Sequence, residues 1–113
     1  EAFCARGEAL SRAAGNPRGM EPVLRGRAIL ALERGDPDGA VRLLDESLPL
    51  AKQIGLLPHA YVLHTLAEAL TRRGNQGDIE RAKGVLQECL TLLEQMGFAR
   101  KAEQVRAQLA ALN

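Results

Sequence analysis

The chain has 113 residues, 46% apolar but only 3% aromatic and without tryptophan, so length and composition allow one domain with an aliphatic core. Fifteen basic against fourteen acidic residues leave a formal charge of +1, which removes the usual electrostatic reason to look for nucleic acid as a partner. No apolar run reaches the roughly 18 residues a membrane span needs and no secretory leader opens the chain, so a cytoplasmic location and no membrane partner are expected.

In chain order, residues 1–14 (EAFCARGEALSRAA) have an Ala-rich helical pattern that starts without a methionine; they read as the second helix of a preceding, truncated repeat, and the chain as a piece of a longer polypeptide. A second helix is predicted over 21–34, with Pro22 near its start and Gly35 after its end. A third spans 37–54: Asp36 suits the N-cap, Pro37 the first turn, and Gly55 the left-handed position past the C-terminus. Pro49 conflicts with this helix because it removes a hydrogen bond and clashes with the preceding turn, which predicts a kink near 45–49 or a break.

The fourth helix is predicted over 59–73. It runs into RRGNQGDIERA (72–82), whose glycines and arginines resemble a phosphate-binding turn. A fifth helix over 79–96 takes Asp78 as N-cap and Gly97 as C-terminal glycine. The sixth, 98–111, places Phe98, Ala102, Val105, Leu109 and Leu112 on one face and charged or amide side chains on the others. No segment alternates with a two-residue period, so the fold class is all-α with about six antiparallel helices.

These elements repeat. GDPDGAVRLLDESLPLAKQIG (35–55) and GDIERAKGVLQECLTLLEQMG (77–97) align without a gap at an offset of 42, with nine identities in 21 positions. The helices upstream align at an offset of 39, pairing Leu24 with Leu63, Ala28 with Ala67, and Gly35 with Gly74. The difference is a three-residue insertion, Asn75-Gln76-Gly77, so RGNQGD stands where the earlier copy has RGD. The joint between two helices is thus the better reading of 72–82, since an aspartate at the N-cap would repel an incoming anion. The units are 1–19 (partial), 20–56, 57–97, and a C-terminal covering helix over 98–113.

Few residues suggest chemistry. Cys4 and Cys89 lie far apart, outside any metal-ligand spacing, and read as reduced, apolar-packed residues. His59 and His64 are five apart and do not share a helix face as i, i+4 ligands would; His59, at a helix start, is expected to be exposed. No nucleophile elbow, Walker loop, HExxH pair or Rossmann fingerprint occurs. No metal, no cofactor and no catalytic residue is predicted. Asp45, Glu46 and Glu88 read as a solvated outer face. Arg72, Arg73 and Arg81 cluster near the insertion, either as solvated charges or as an attraction for an acidic peptide.

The pattern resembles the tetratricopeptide repeat. The second unit supplies Leu63, Leu66, Ala67 and Leu70 before the turn and Ala82, Leu86 and Cys89 after it. The first supplies Leu24, Ala28 and Ala31, then Ala40, Leu44 and Ser47. It departs at Arg27, where the family has leucine, and lacks the family's C-terminal proline in both copies. The repeats, near 40 residues, are similar to the long type attached to bacterial signalling proteins such as maltose-activator-like regulators and ATPase-linked adenylate cyclases.

The resemblance implies a right-handed superhelix of helix pairs and a groove lined by the first helix of each pair. Carried onto this chain, the inward positions are Tyr61, His64, Glu68, Thr71 and Arg72 in the second unit and Arg25, Ile29, Leu32 and Glu33 in the first. Tyr61 and Arg72 are the expected anchors for a peptide or helix, with Ile29 and Leu32 as an apolar floor. The expected function is a non-catalytic protein–protein interaction scaffold whose partner is a protein, a peptide or another domain of the same polypeptide. Two alternatives stand beside it: a homodimer formed through exposed apolar end faces, and a small-ligand sensor using His64, Tyr61 and Glu68.

Overall fold

The computed structural model describes residues 17–112. They form five helices and no strand: α1 (Pro17–Glu33), α2 (Pro37–Ile54), α3 (Leu56–Arg73), α4 (Asp78–Met96) and α5 (Ala99–Leu112). The helix predicted over 1–14, the cysteine at position 4 and most of the 1–19 unit lie outside the described residues. Among the described residues no helix is long and apolar enough to cross a membrane.

Turn chemistry sets the helix ends. After α1, Gly35 takes φ 78°, its N–H donates to the Leu32 carbonyl (3.1 Å), and the Asp36 N–H donates to Ala31 (2.8 Å). This paired closure is a Schellman motif, and Asp36 then caps α2 by accepting the Gly39 N–H at 3.0 Å. The end of α4 is built alike: Gly97 has φ 77°, with Gly97 N–H to Glu94 at 3.1 Å and Phe98 N–H to Leu93 at 3.0 Å.

The α3–α4 turn differs because of the insertion. Gly74 (φ 63°) makes only one closing bond, to Leu70 at 3.0 Å, and the chain then needs a second positive φ at Gly77 (86°) to enter α4. The N-cap is therefore Gly77, not the predicted Asp78, which becomes the first helical residue. Gly55 is a further correction. Its backbone is extended (φ 158°, ψ −176°) rather than left-handed, because α3 starts at once at Leu56 and leaves no loop to turn through.

Both internal prolines are carried within continuous helices. α2 runs unbroken through Pro49 from Pro37 to Ile54, so the predicted break does not occur. α1 begins at Pro17, ahead of the predicted start at 21, and takes in Pro22. In both helices, a ring without an N–H leaves one carbonyl of the preceding turn without its helical donor.

The core is aliphatic, as the composition requires. Leu24, Leu44, Leu63, Leu66 and Leu70 are each at most 1% exposed, with Ala28, Ala40, Ala51, Ala69 and Ala82 filling the close approaches. Each helix packs against its neighbours in sequence, and α1 also meets α3. Arg25 reaches Tyr61 and Arg72 reaches the Leu32 carbonyl, so α1 and α3 run in the same direction. Lys101 reaches Tyr61 and Gln108 reaches His64, so α5 runs with them on the far side of α3. On the opposite side, Arg81 of α4 pairs with Asp45 of α2.

Candidate functional site

The side of the molecule carrying α1, α3 and α5 gathers the predicted groove residues, since three parallel helices present their outward side chains along one face. At its N-terminal end Tyr61, 37% exposed, lies beneath two cations: the Arg25 guanidinium is 5.3 Å and the Lys101 ammonium 5.1 Å from the ring centroid. Such placement is favourable electrostatically, because the ring face is the negative part of its quadrupole. Arg25 is also paired with Glu21 (3.1 Å), whereas Lys101 has no carboxylate partner among the described residues.

Further along, the His64 imidazole Nε2 is 2.9 Å from Gln108 Oε1. Beyond it opens a cleft of about 340 Å³ between α3 and α5. Glu68, Thr71 and Arg72 form one side, Gln108, Ala111 and Leu112 the other, with Ala67 and Leu86 also on the lining. Its polar groups are largely committed within the protein. The Thr71 hydroxyl donates to the Ala67 carbonyl (2.8 Å), and Arg72 reaches the Leu32 carbonyl (3.3 Å) and Glu68 (3.5 Å). What the cleft offers an occupant is therefore mostly aliphatic wall.

Of the predicted positions, Tyr61, His64, Glu68, Thr71 and Arg72 are exposed on this face, Arg25 reaches it, and Ile29 is 43% exposed on the neighbouring helix. Leu32 is not part of a floor. It is 6% exposed and belongs to the core, because α2 folds back over that side of α1 and only its carbonyl meets Arg72. Sequence reasoning missed the α5 contribution, Lys101, Gln108 and Leu112, because that helix reads as a covering element.

In the stretch 72–82 the chain supplies its own anion. Asp78, the buried first residue of α4, takes Arg73 Nε on Oδ2 (2.7 Å) and Nη2 on Oδ1 (2.8 Å), and its Oδ2 also accepts the Asn75 N–H (3.0 Å). Arg73 holds the Asp78 carboxyl below the usual carboxylate range, and Asp78 in turn raises the guanidinium. Arg73 further reaches Asp38 of α2 (3.4 Å). Two of the three clustered arginines, Arg73 and Arg81, are thus spent on fixing α2 and α4 around the turn.

Three further titratable groups, Cys89, Glu21 and His59, lie wholly or partly inside the fold. The Cys89 thiol donates to the Ala60 carbonyl (3.5 Å), and burial pushes its pKa up to about 11. Glu21 is 1% exposed, and burial raises its pKa against the lowering effect of Arg25. His59 corrects the expectation of an exposed side chain: only 13% exposed, it meets Glu88 at 3.1 Å, because the early start of α3 turns it toward α4. Among the described residues no group of three or more His, Cys, Asp or Glu side chains is arranged to hold a metal ion. No protein-family model, no curated protein and no solved structure matches the chain.

Proposed function

We propose that the chain is a tetratricopeptide-like helical-repeat scaffold, a right-handed superhelix of helix pairs within a larger cytoplasmic bacterial regulatory or signalling protein. In this reading it catalyses nothing. It binds a peptide, a protein segment or a neighbouring domain on the face of α1, α3 and α5. The observation that carries this is the composition of that face: a tyrosine flanked by two cations at one end and an aliphatic cleft at the other. A rigid aromatic anchor beside a desolvated apolar pocket is the arrangement from which peptide recognition draws most of its energy. The sequence offsets of 42 and 39 support the repeat, and so does the common direction of α1, α3 and α5.

The test combines Tyr61→Ala with Arg72→Glu and compares the pool of random peptides that the chain enriches from a display library. Loss of binding with helicity unchanged supports the reading; binding equal to the unaltered chain rejects the face as the site.

A second reading, self-association, is favoured by the exposure of Leu56, Leu57 and Phe98 at helix starts. Sedimentation over a range of concentrations decides it, since a strict monomer removes it.

A further inference from the structure

We infer that the occupant of this face is an extended peptide carrying a carboxylate side chain four residues away from a leucine-sized apolar side chain. This inference rests on the binding reading above and adds the chemistry and spacing of the partner.

The carboxylate belongs at Tyr61 for two independent reasons. Arg25 and Lys101 both lie within about 5 Å of that ring, and Lys101 has no carboxylate of its own among the described residues. The helices α3 and α5 also begin nearby, at Leu56 and Ala99, so their positive dipole ends add to the same potential. An acidic group arriving there meets Lys101 free of any carboxylate among the described residues and, on the other side of the ring, Arg25, which it shares with Glu21 at 3.1 Å.

The apolar side chain belongs in the α3–α5 cleft. Glu68, Thr71, Arg72 and Gln108 already have internal partners, so the remaining lining, Ala67, Leu86, Ala111 and Leu112, rewards hydrocarbon. A space of about 340 Å³ is ample, since an apolar cavity of about 150 Å³ already takes a benzene ring.

The spacing follows from helix geometry. The cleft is lined on α3 by Ala67–Arg72, eight or nine residues beyond Tyr61 at its middle, which is about 13 Å along the axis at 1.5 Å per residue. An extended chain advances about 3.3 Å per residue, so four residues bridge the two points.

The experiment has two arms on the 113-residue chain. In the first, random peptides are selected by display and tested for dependence on Tyr61 and Arg72. In the second, acetyl-Asp-Thr-Ser-Thr-Leu-amide and its reverse, acetyl-Leu-Thr-Ser-Thr-Asp-amide, are titrated and followed by amide chemical shifts. At least one should bind on this face. Replacing its Asp by Asn should weaken it by about two- to fivefold, as for an exposed ion pair. Replacing its Leu by Ser should weaken it at least about tenfold. Lys101→Gln should reproduce the loss seen with Asn, while Lys101→Arg should restore affinity and show that the fold is intact. Enriched peptides that depend on Tyr61 but lack the acid–apolar pair at this spacing would overturn the inference and leave the binding reading standing. Peptides indifferent to Tyr61 and Arg72, or no enriched peptide at all, would overturn both.

Discussion

Arg73 and Asp78 close the α3–α4 turn on each other, two nitrogens of the guanidinium meeting two oxygens of the carboxylate at 2.7 and 2.8 Å. Planar two-point pairing of this kind is stronger and more directional than a single ion contact. It also answers what the glycine-rich stretch 72–82 does. The anion near the start of α4 is a side chain of the chain itself, and the inserted residues let that side chain fold back onto Arg73.

Asp78→Asn is expected to lower the melting temperature at neutral pH. Because the folded-state pKa of Asp78 is depressed by Arg73, its contribution is present above the ordinary carboxylate value of about 3.9 and is lost as pH falls through the lower folded value. The difference between the two proteins should therefore shrink in acid. Thermal unfolding followed by circular dichroism from pH 7 downward measures it, and a difference that persists unchanged in acid would refute the assignment.

Glu21 carries the opposite sign. Burial raises its pKa, so the stability it contributes is complete below the ordinary glutamate value and declines as pH rises through the raised folded value. Glu21→Gln should raise the melting temperature at pH 7 and give no gain at pH 4. A loss at pH 7 would mean that the Arg25 pairing outweighs desolvation of the carboxylate.

Pro49 is exposed and sits inside an unbroken helix, so its missing N–H and ring clash have no compensating burial. Pro49→Ala is expected to stabilise the chain by on the order of 1–3 kcal/mol, read from urea unfolding midpoints. No gain would show that Pro49 costs the folded helix nothing at this position.

The Cys89 thiol, buried and pushed up to about 11, should be inert at neutral pH. In a Cys4→Ser background, a disulfide-exchange reagent should label the native chain only at the rate of unfolding. Fast labelling would contradict the burial. In the same core, Leu66→Ala should cost about 2–5 kcal/mol, as for other buried leucines.

The sequence made the helices legible because periodicity and turn glycines agree. Asp36 as a side-chain cap, Gly97 as a left-handed closure, and the aliphatic core through Leu44, Leu63 and Leu66 are all local patterns with one physical solution. What it hid depends on contacts between elements. Nothing local tells that Gly55 will be extended, because that follows from where α3 begins. The orientation of Leu32 and His59 follows from which neighbour covers them. On the candidate face, the α3 residues from Tyr61 to Arg72 could be read in advance, but the pairing of Tyr61 with Lys101 could not. A single helix shows which side chains are polar and not which helix will stand beside it.

Amide chemical-shift mapping of the chain with its best display-selected peptide tests the proposed binding face most directly. The expected result is a set of shifted amides on one side, around Arg25, Tyr61, His64, Arg72 and Lys101, with those of Asp45, Arg81 and Glu88 unmoved. Shifts centred on α2 and α4, with the Tyr61 and Arg72 amides unmoved, would contradict it.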